Sequence, residues 1–213
     1  SLKREKNIVL WLSSIEDDAK EVYLLGDVFD FWFEYKYVVP KGYVRLLGKI
    51  AQMCDDGIKV HFFCGNHDMW QRDYLEKELG VIIHKENKEI ITLDDKVFMI
   101  GHGDGLDNKD LKYRFINFLF RNKFCVWLFG CLPTRFSMAI GNAWSKSSRK
   151  SHKKTDLIDR KEKEPIYLFC KKVLEKTHVD FFIFGHRHLV CDMVINNTSR
   201  YINVGCWINE TYY

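Results

Sequence analysis

An α/β fold of layered sheet and helix is what this sequence predicts, and three observations predict it. Five short apolar, β-branched or aromatic runs recur: "EVYLLGD" (21–27), "KVHFFCGNHD" (59–68), "KVFMIGHGD" (96–104), "DFFIFGHRH" (180–188) and "RYINVGCW" (200–207). Their near-continuous apolarity is that of strands covered on both faces. Segments with apolar residues three and four apart separate several of them, and strands alternating with helices build α/β layers. Finally, 213 residues with 46% hydrophobic and 29% charged side chains suffice for one domain with a sizeable core.

In chain order, a helix opens the sequence with Ile8, Trp11, Leu12 and Ile15 on one face. The first strand stops at Gly26-Asp27, and Tyr43–Asp55 has helical spacing. The second strand follows, then shorter strands around Val81–Ile83 and Glu89–Leu93, which are expected to add antiparallel pairs. After the third strand comes an insertion, about residues 107–165, containing "YRFINFLFRNKFCVWLFGCLPTRFSMAIGNAW". It reads as two or three amphipathic helices broken around Pro133. Ile166–Leu174 is again helical, and two strands close the fold. Residues 1–213 are thus expected to form a single domain, truncated at its N-terminus because the chain opens on Ser1 inside a helix.

Composition excludes several classes. A net charge of +4 implies no nucleic-acid partner, and the run "SKSSRKSHKK" (145–154) reads first as a solvated helix face. Seven cysteines, odd in number and without a CxxC pair, suggest buried thiols in a reducing compartment. No signal peptide is recognisable, and no stretch approaches the roughly 20 apolar residues that cross a bilayer. The expected location is cytoplasmic. "GHGDGL" lacks the third glycine of a dinucleotide loop, and neither GxSxG nor a P-loop is present.

Four strands end alike, on glycine followed by a metal-ligand type. They are Gly26-Asp27, Gly65-Asn66-His67-Asp68, Gly101-His102-Gly103-Asp104 and Gly185-His186-Arg187-His188. Strand C-termini of open α/β sheets gather at one edge, where ligands bind. Imidazole, carboxylate and amide donors without thiolate suit Mn, Fe, Zn or Mg. Two ions about 3.5–4 Å apart need a shared carboxylate, for which Asp27 is placed, and such a pair activates water for in-line attack at phosphorus. His67 can contact phosphoryl oxygens or protonate a leaving group, and Asp68 can fix its tautomer. His61, His84 and His178 end no such strand and read as structural or surface residues. Cys64 and Cys206 read as small core residues.

The ordered motifs GD, GNHD, GHGD and GHRH resemble the calcineurin-like metallophosphoesterases over roughly residues 22–207. The resemblance implies an αββα sandwich with a helical lid and a two-metal site. Asp27 would bridge, with Asn66, His102 and His186 completing one metal and His188 serving the other. The ions implied are divalent, foremost manganese. The family pattern also has an Asp-x-His on a preceding strand, and residues 1–21 contain no histidine. "GDVFDFW", "HGDGLDNKDLKY" and the long insertion resemble the branch that cleaves the pyrophosphate of UDP-2,3-diacylglucosamine, a lipid A precursor. That implies UMP and 2,3-diacylglucosamine 1-phosphate as products, and a Gram-negative source with peripheral inner-membrane contact. Asn66, His67, Asp110, Ser145, Arg149, His152 and His186 would touch substrate. His67 departs from the arginine that familiar members of the branch carry there. Two alternatives stay open: a general phosphodiesterase or nucleotide pyrophosphohydrolase, and a non-catalytic protein binding lipid or a partner. Apolar helices rimmed by cations suit an amphiphilic phosphate and an anionic membrane surface.

Overall fold

The structure, a computed structural model, describes residues 1–106, 111–156 and 161–207, the side chains of 111–114, 149–156 and 161 excepted. The first half is a β/α succession: α1 (Leu2–Ile15), β1 (Glu21–Leu24), α2 (Val44–Asp55), β2 (Lys59–Phe63), α3 (Tyr74–Leu79) and β3 (Ile82–His84). These three strands form a parallel sheet in the order β1-β2-β3. β4 (Glu89–Leu93), β5 (Lys96–Gly101), β6 (Phe181–Phe184), β7 (Val190–Val194) and β8 (Arg200–Val204) form the second sheet, ordered β4-β5-β6-β8-β7. In it β5, β6 and β8 run parallel, and β4 and β7 pair antiparallel at the edges.

Each sheet carries its helices on one face, the layered α/β arrangement expected. Val22, Leu24, Val60 and Phe62 point to one side of the first sheet, where they bury against Leu12, Leu46, Ile50, Met53 and Leu75. That period of two on the strands, facing periods of three and four on α1, α2 and α3, builds the first core. Met99, Phe182, Phe184 and Tyr201 of the second sheet meet Ile166, Tyr167 and Cys170 of α7 (Pro165–Leu174). Three further helices lie between β5 and α7: α4 (Leu111–Arg121), α5 (Lys123–Cys131) and α6 (Thr134–Asp156). Pro133 stands at the break between α5 and α6, as its sequence position implies. Asn122 caps α5 by accepting the N–H groups of Phe124 and Cys125 at 3.0 and 3.1 Å.

Two expectations are corrected. β3 does not add an antiparallel pair; it runs parallel to β2, because α3 carries the chain back across the sheet. β7 has no counterpart in the sequence reading. It is an edge strand whose Asp192 interrupts the apolar pattern to pair with Arg200 across the ladder at 2.7 Å.

Candidate metal centre

β1, β2, β5 and β6 deliver their Gly-ligand endings to one place. A β-carbon on Gly26 would lie 2.6 Å from His102 Nδ1 and 2.7 Å from the Gly65 nitrogen, so only glycine admits this approach. The Gly185 N–H donates to the His102 carbonyl at 3.1 Å. Asp27, His186 and His188 all have left-handed backbones, with φ of 52°, 65° and 51°. Such conformations outside glycine cost about 1–3 kcal/mol and persist where surroundings over-determine them.

Asp68 is what determines the Asp27 turn. It is fully buried, and its carboxylate accepts four main-chain N–H groups: Gly65 at 2.7 Å, Val28 at 2.8 Å, Asp27 at 3.2 Å and Phe29 at 3.4 Å. Burial and the neighbouring charge of Asp27 push its carboxyl up to about 7.

The donor atoms converge. Ligating atoms of Asp27, His102 and His186 lie within 4.8 Å of one another, the one such trio among the described residues. His102 Nδ1 sits 2.7 Å from the Leu25 carbonyl and donates to it, leaving Nε2 as the inward atom. That Nε2 faces two acceptor oxygens, Asn66 Oδ1 at 3.3 Å and Asp27 Oδ2 at 3.4 Å. An imidazole lone pair against two oxygens requires a positive occupant, a proton or a metal ion. Burial works to lower His102, but the Asp27 carboxylate outweighs it and raises the imidazole to about 10. Burial conversely works to raise Asp27, and the positive charge of His102 and then His67 holds it below the carboxylate range. These residues fit a divalent ion with nitrogen and oxygen ligands.

The aromatic stretch after Asp27 divides between two packings. Phe29 and Trp32 stack at 4.3 Å and enter the first core with Tyr43 and Phe62. Phe31 and Phe33 turn the other way, to Trp70 and to Phe129 of α5. α6 docks on the same stretch through small residues at i, i+4 and i+8. Ser137 hydrogen-bonds the Tyr35 hydroxyl, Gly141 lies against the Phe31 ring, and the Ser145 hydroxyl donates to the Asp30 carbonyl at 2.5 Å. Trp144, on that helix, lies over His67 with ring centres 4.8 Å apart. Trp70 donates its indole N–H to the Phe120 carbonyl of α4 at 3.0 Å, tying the second motif loop to the helices.

A UDP-2,3-diacylglucosamine hydrolase of Porphyromonas gingivalis (strain ATCC BAA-308 / W83) is 38% identical over 227 residues, covering 98% of this chain and 84% of its own. This chain belongs to the UDP-2,3-diacylglucosamine hydrolase family. Another such hydrolase, from Histophilus somni (strain 129Pt), is 27% identical over 175 residues, 80% of this chain and 70% of its own. No family model matches the chain. Among solved structures, a Vps29 double mutant from Entamoeba histolytica covers 92% of this chain and 63% of its own at 11% identity, with a TM-score of 0.42. That likeness is too slight to carry an argument about the site.

As a hydrolase of this family, the protein brings Asp27, Asn66, His102 and His186 together, with His67 alongside. His188 follows in the same turn but falls outside the trio that shares one locus. Ser145, expected among the substrate contacts, is fully buried and holds α6 to the main chain. Arg149 and His152 continue α6, but their side chains lie outside the described residues, as does Asp110 altogether. Sequence reasoning missed Trp144, Glu34 and Asn203. Glu34, inside the aromatic stretch, accepts the N–H groups of Arg72, Asp73 and Tyr74 and so caps α3. Asn203, on β8, donates to the Gly185 carbonyl at 2.5 Å and fixes the turn that presents His186. The i, i+4, i+8 spacing of Ser137, Gly141 and Ser145 was the available signal for helix docking.

Proposed function

We propose that this protein hydrolyses the pyrophosphate of UDP-2,3-diacylglucosamine, giving UMP and 2,3-diacylglucosamine 1-phosphate. The observation that carries the reading is the convergence of Asp27, His102 and His186 beneath apolar helices in a chain 38% identical to such a hydrolase. Asp27, Asn66, His102 and His186 would hold one divalent ion. Asp27 would also face a second ion, together with His188. Manganese is the preferred ion, with Fe, Zn or Mg compatible with the same donors. Bound metal supplies a water of lowered pKa and neutralises phosphoryl charge.

The chain's own residues do the rest. His67, its N–H on Asp27 Oδ1 at 2.8 Å, is placed to hydrogen-bond a phosphoryl oxygen or protonate the departing group. Asp68 acts as a positioning residue by holding the Asp27 turn. Trp144 limits the motion of the His67 ring and keeps water from it.

α4–α6 serve as the lid for the acyl chains, within the proposed 107–165 insertion. Phe115, Phe118, Phe124, Trp127 and Phe136 are 61–66% exposed, an apolar surface among Arg121, Lys123 and Arg135. Such a surface supports contact with an anionic membrane, and no described helix is long and apolar enough to cross one.

A second reading, a general phosphodiesterase or nucleotide pyrophosphohydrolase, is favoured by histidine at position 67. The test is the manganese-loaded protein with UDP-2,3-diacylglucosamine. UMP release supports the lipid assignment. Hydrolysis of simple phosphodiesters without UMP release would sink it in favour of the second reading.

A further inference from the structure

The turn that presents His186 is closed by its own main chain. The Arg187 N–H donates to the Gly185 carbonyl at 2.7 Å, making a three-residue turn with His186 at its centre and a φ of 65° there. Three-residue turns of this hand are rare and strained, and one persists only where its surroundings over-determine it. Asn203 holds the Gly185 side, donating to the same carbonyl at 2.5 Å. His188 leaves the turn in a second left-handed conformation, with φ of 51°.

The Arg187 side chain holds the other side. Its guanidinium runs to Glu164, with Nε 2.8 Å from Oε1 and Nη2 donating to Oε2 at 3.2 Å. The two side chains are 13% and 6% exposed, so the pair is withdrawn from water, and removing one partner would strand the charge of the other. Glu164 is itself fixed. It is the N-cap of α7 and precedes Pro165, which restricts its backbone to the extended region, where its ψ of 125° lies. Its carboxylate makes no capping bond to α7 and turns to Arg187 instead. Behind it, Ile166, Tyr167 and Cys170 bed α7 in the second core.

We propose, on the reading of His186 as a ligand of the hydrolytic centre, that Glu164 is a positioning residue for that centre. Acting through Arg187, it holds the strained turn that aims His186 toward Asp27 and His102. Outer partners of this kind set how well a ligand is oriented, and their loss weakens metal binding. A pair that served the fold alone would lower the melting temperature and leave the Mn2+ affinity of the folded chain untouched. Arginine also matters here as more than a charge, because its planar fork faces both carboxylate oxygens at once.

The experiment is a Mn2+ titration of the chelator-treated full chain by calorimetry, at a temperature where circular dichroism shows each variant folded. Glu164→Gln and Arg187→Met should each bind Mn2+ about 10–100-fold more weakly than wild type. The double variant should bind no more weakly than either single one, because both act on one turn. Turnover lost in Glu164→Gln should return at excess Mn2+, as it would not for a group that touches substrate. An unchanged Mn2+ affinity in folded Glu164→Gln would overturn the proposal, and so would losses that add in the double variant. Arg187→Lys keeps the buried charge balanced but lacks the fork, and it stays informative if Glu164→Gln fails to fold. Its affinity should also fall, and a wild-type value would overturn the proposal equally. Mn2+ affinity that survives His186→Ala would overturn the ligand reading and the proposal with it. Cleavage of simple phosphodiesters in place of the lipid, with affinities falling as stated, would support the proposal and overturn only the lipid assignment.

Discussion

The carboxylate of Asp68 accepts the N–H of Val28 at 2.8 Å, across 40 positions of sequence, and this bond with its three neighbours shapes the turn at Asp27. A fully buried carboxylate serving main-chain amides around Asp27, a proposed metal ligand, is a mould for that residue. Asp68→Asn retains one acceptor oxygen and turns an NH2 toward amide donors. Metal affinity and turnover should therefore fall together, with a stability loss of about 1–3 kcal/mol. Metal content and urea denaturation check this. A variant with full metal content and normal stability but low turnover would make Asp68 a group that touches substrate.

His67 should behave differently. Its side chain lies under Trp144, and its backbone N–H donates to Asp27. His67→Ala should lower kcat by about 100-fold or more, the usual scale for a proton-transferring group, while leaving metal content nearly intact. Loss of metal in step with activity would identify His67 as a ligand.

The metal-free protein should lose stability as pH rises. His102 is raised to about 10 from an ordinary value near 6.5, and Asp68 to about 7 from near 4. Groups raised in the folded state stabilise it fully below their unfolded pKa and lose that contribution as pH climbs through the folded one. The window is therefore about pH 4–7 for Asp68 and about 6.5–10 for His102. Asp27, held low, acts only in strong acid and with the opposite sign. Melting temperatures of chelator-treated protein should fall between pH 6.5 and 10. Added Mn2+ should raise them most at the alkaline end, where an ion held by His102 would replace its proton. A flat profile in both states would contradict the coupling of Asp27 to His102.

Much of the centre is legible in the sequence because its signal is local and repeated. A glycine and a ligand at the end of an apolar run say where the backbone turns, and four such endings on α/β strands imply one shared edge. What holds those turns is not local. Asp68 is adjacent to a motif histidine in sequence, yet its oxygens reach the amides of Asp27, Val28 and Phe29 in the loop that follows β1. Asn203 looks like an ordinary strand residue until β8 lies beside β6 and its amide meets the Gly185 carbonyl. The direction of β3 depends on a six-residue helix, α3, whose N-terminus is capped by Glu34 from a distant loop. Contacts of this kind have no periodicity from which to read them.

The docking of α6 supplies the last prediction. Gly141 faces the Phe31 ring so closely that a β-carbon there would overlap it, while Ser137 and Ser145 bond to Tyr35 and Asp30 on either side. An alanine at 141 would gain about 0.5–1 kcal/mol of helix propensity, yet it must displace either the ring or the helix. Phe31 is 3% exposed and packed against Trp70 and Phe129, so the helix is the part that can give. Gly141→Val should then move Trp144 away from His67. The Michaelis constant should rise for the diacylated substrate, and turnover should fall for any phosphate ester that depends on His67. A short-chain UDP-sugar should show the turnover effect without the rise in Michaelis constant, as expected if α4–α6 hold the acyl chains as proposed. If both substrates lose affinity equally, the helices close over the phosphate as well as the acyl chains, and their contribution to specificity lies elsewhere.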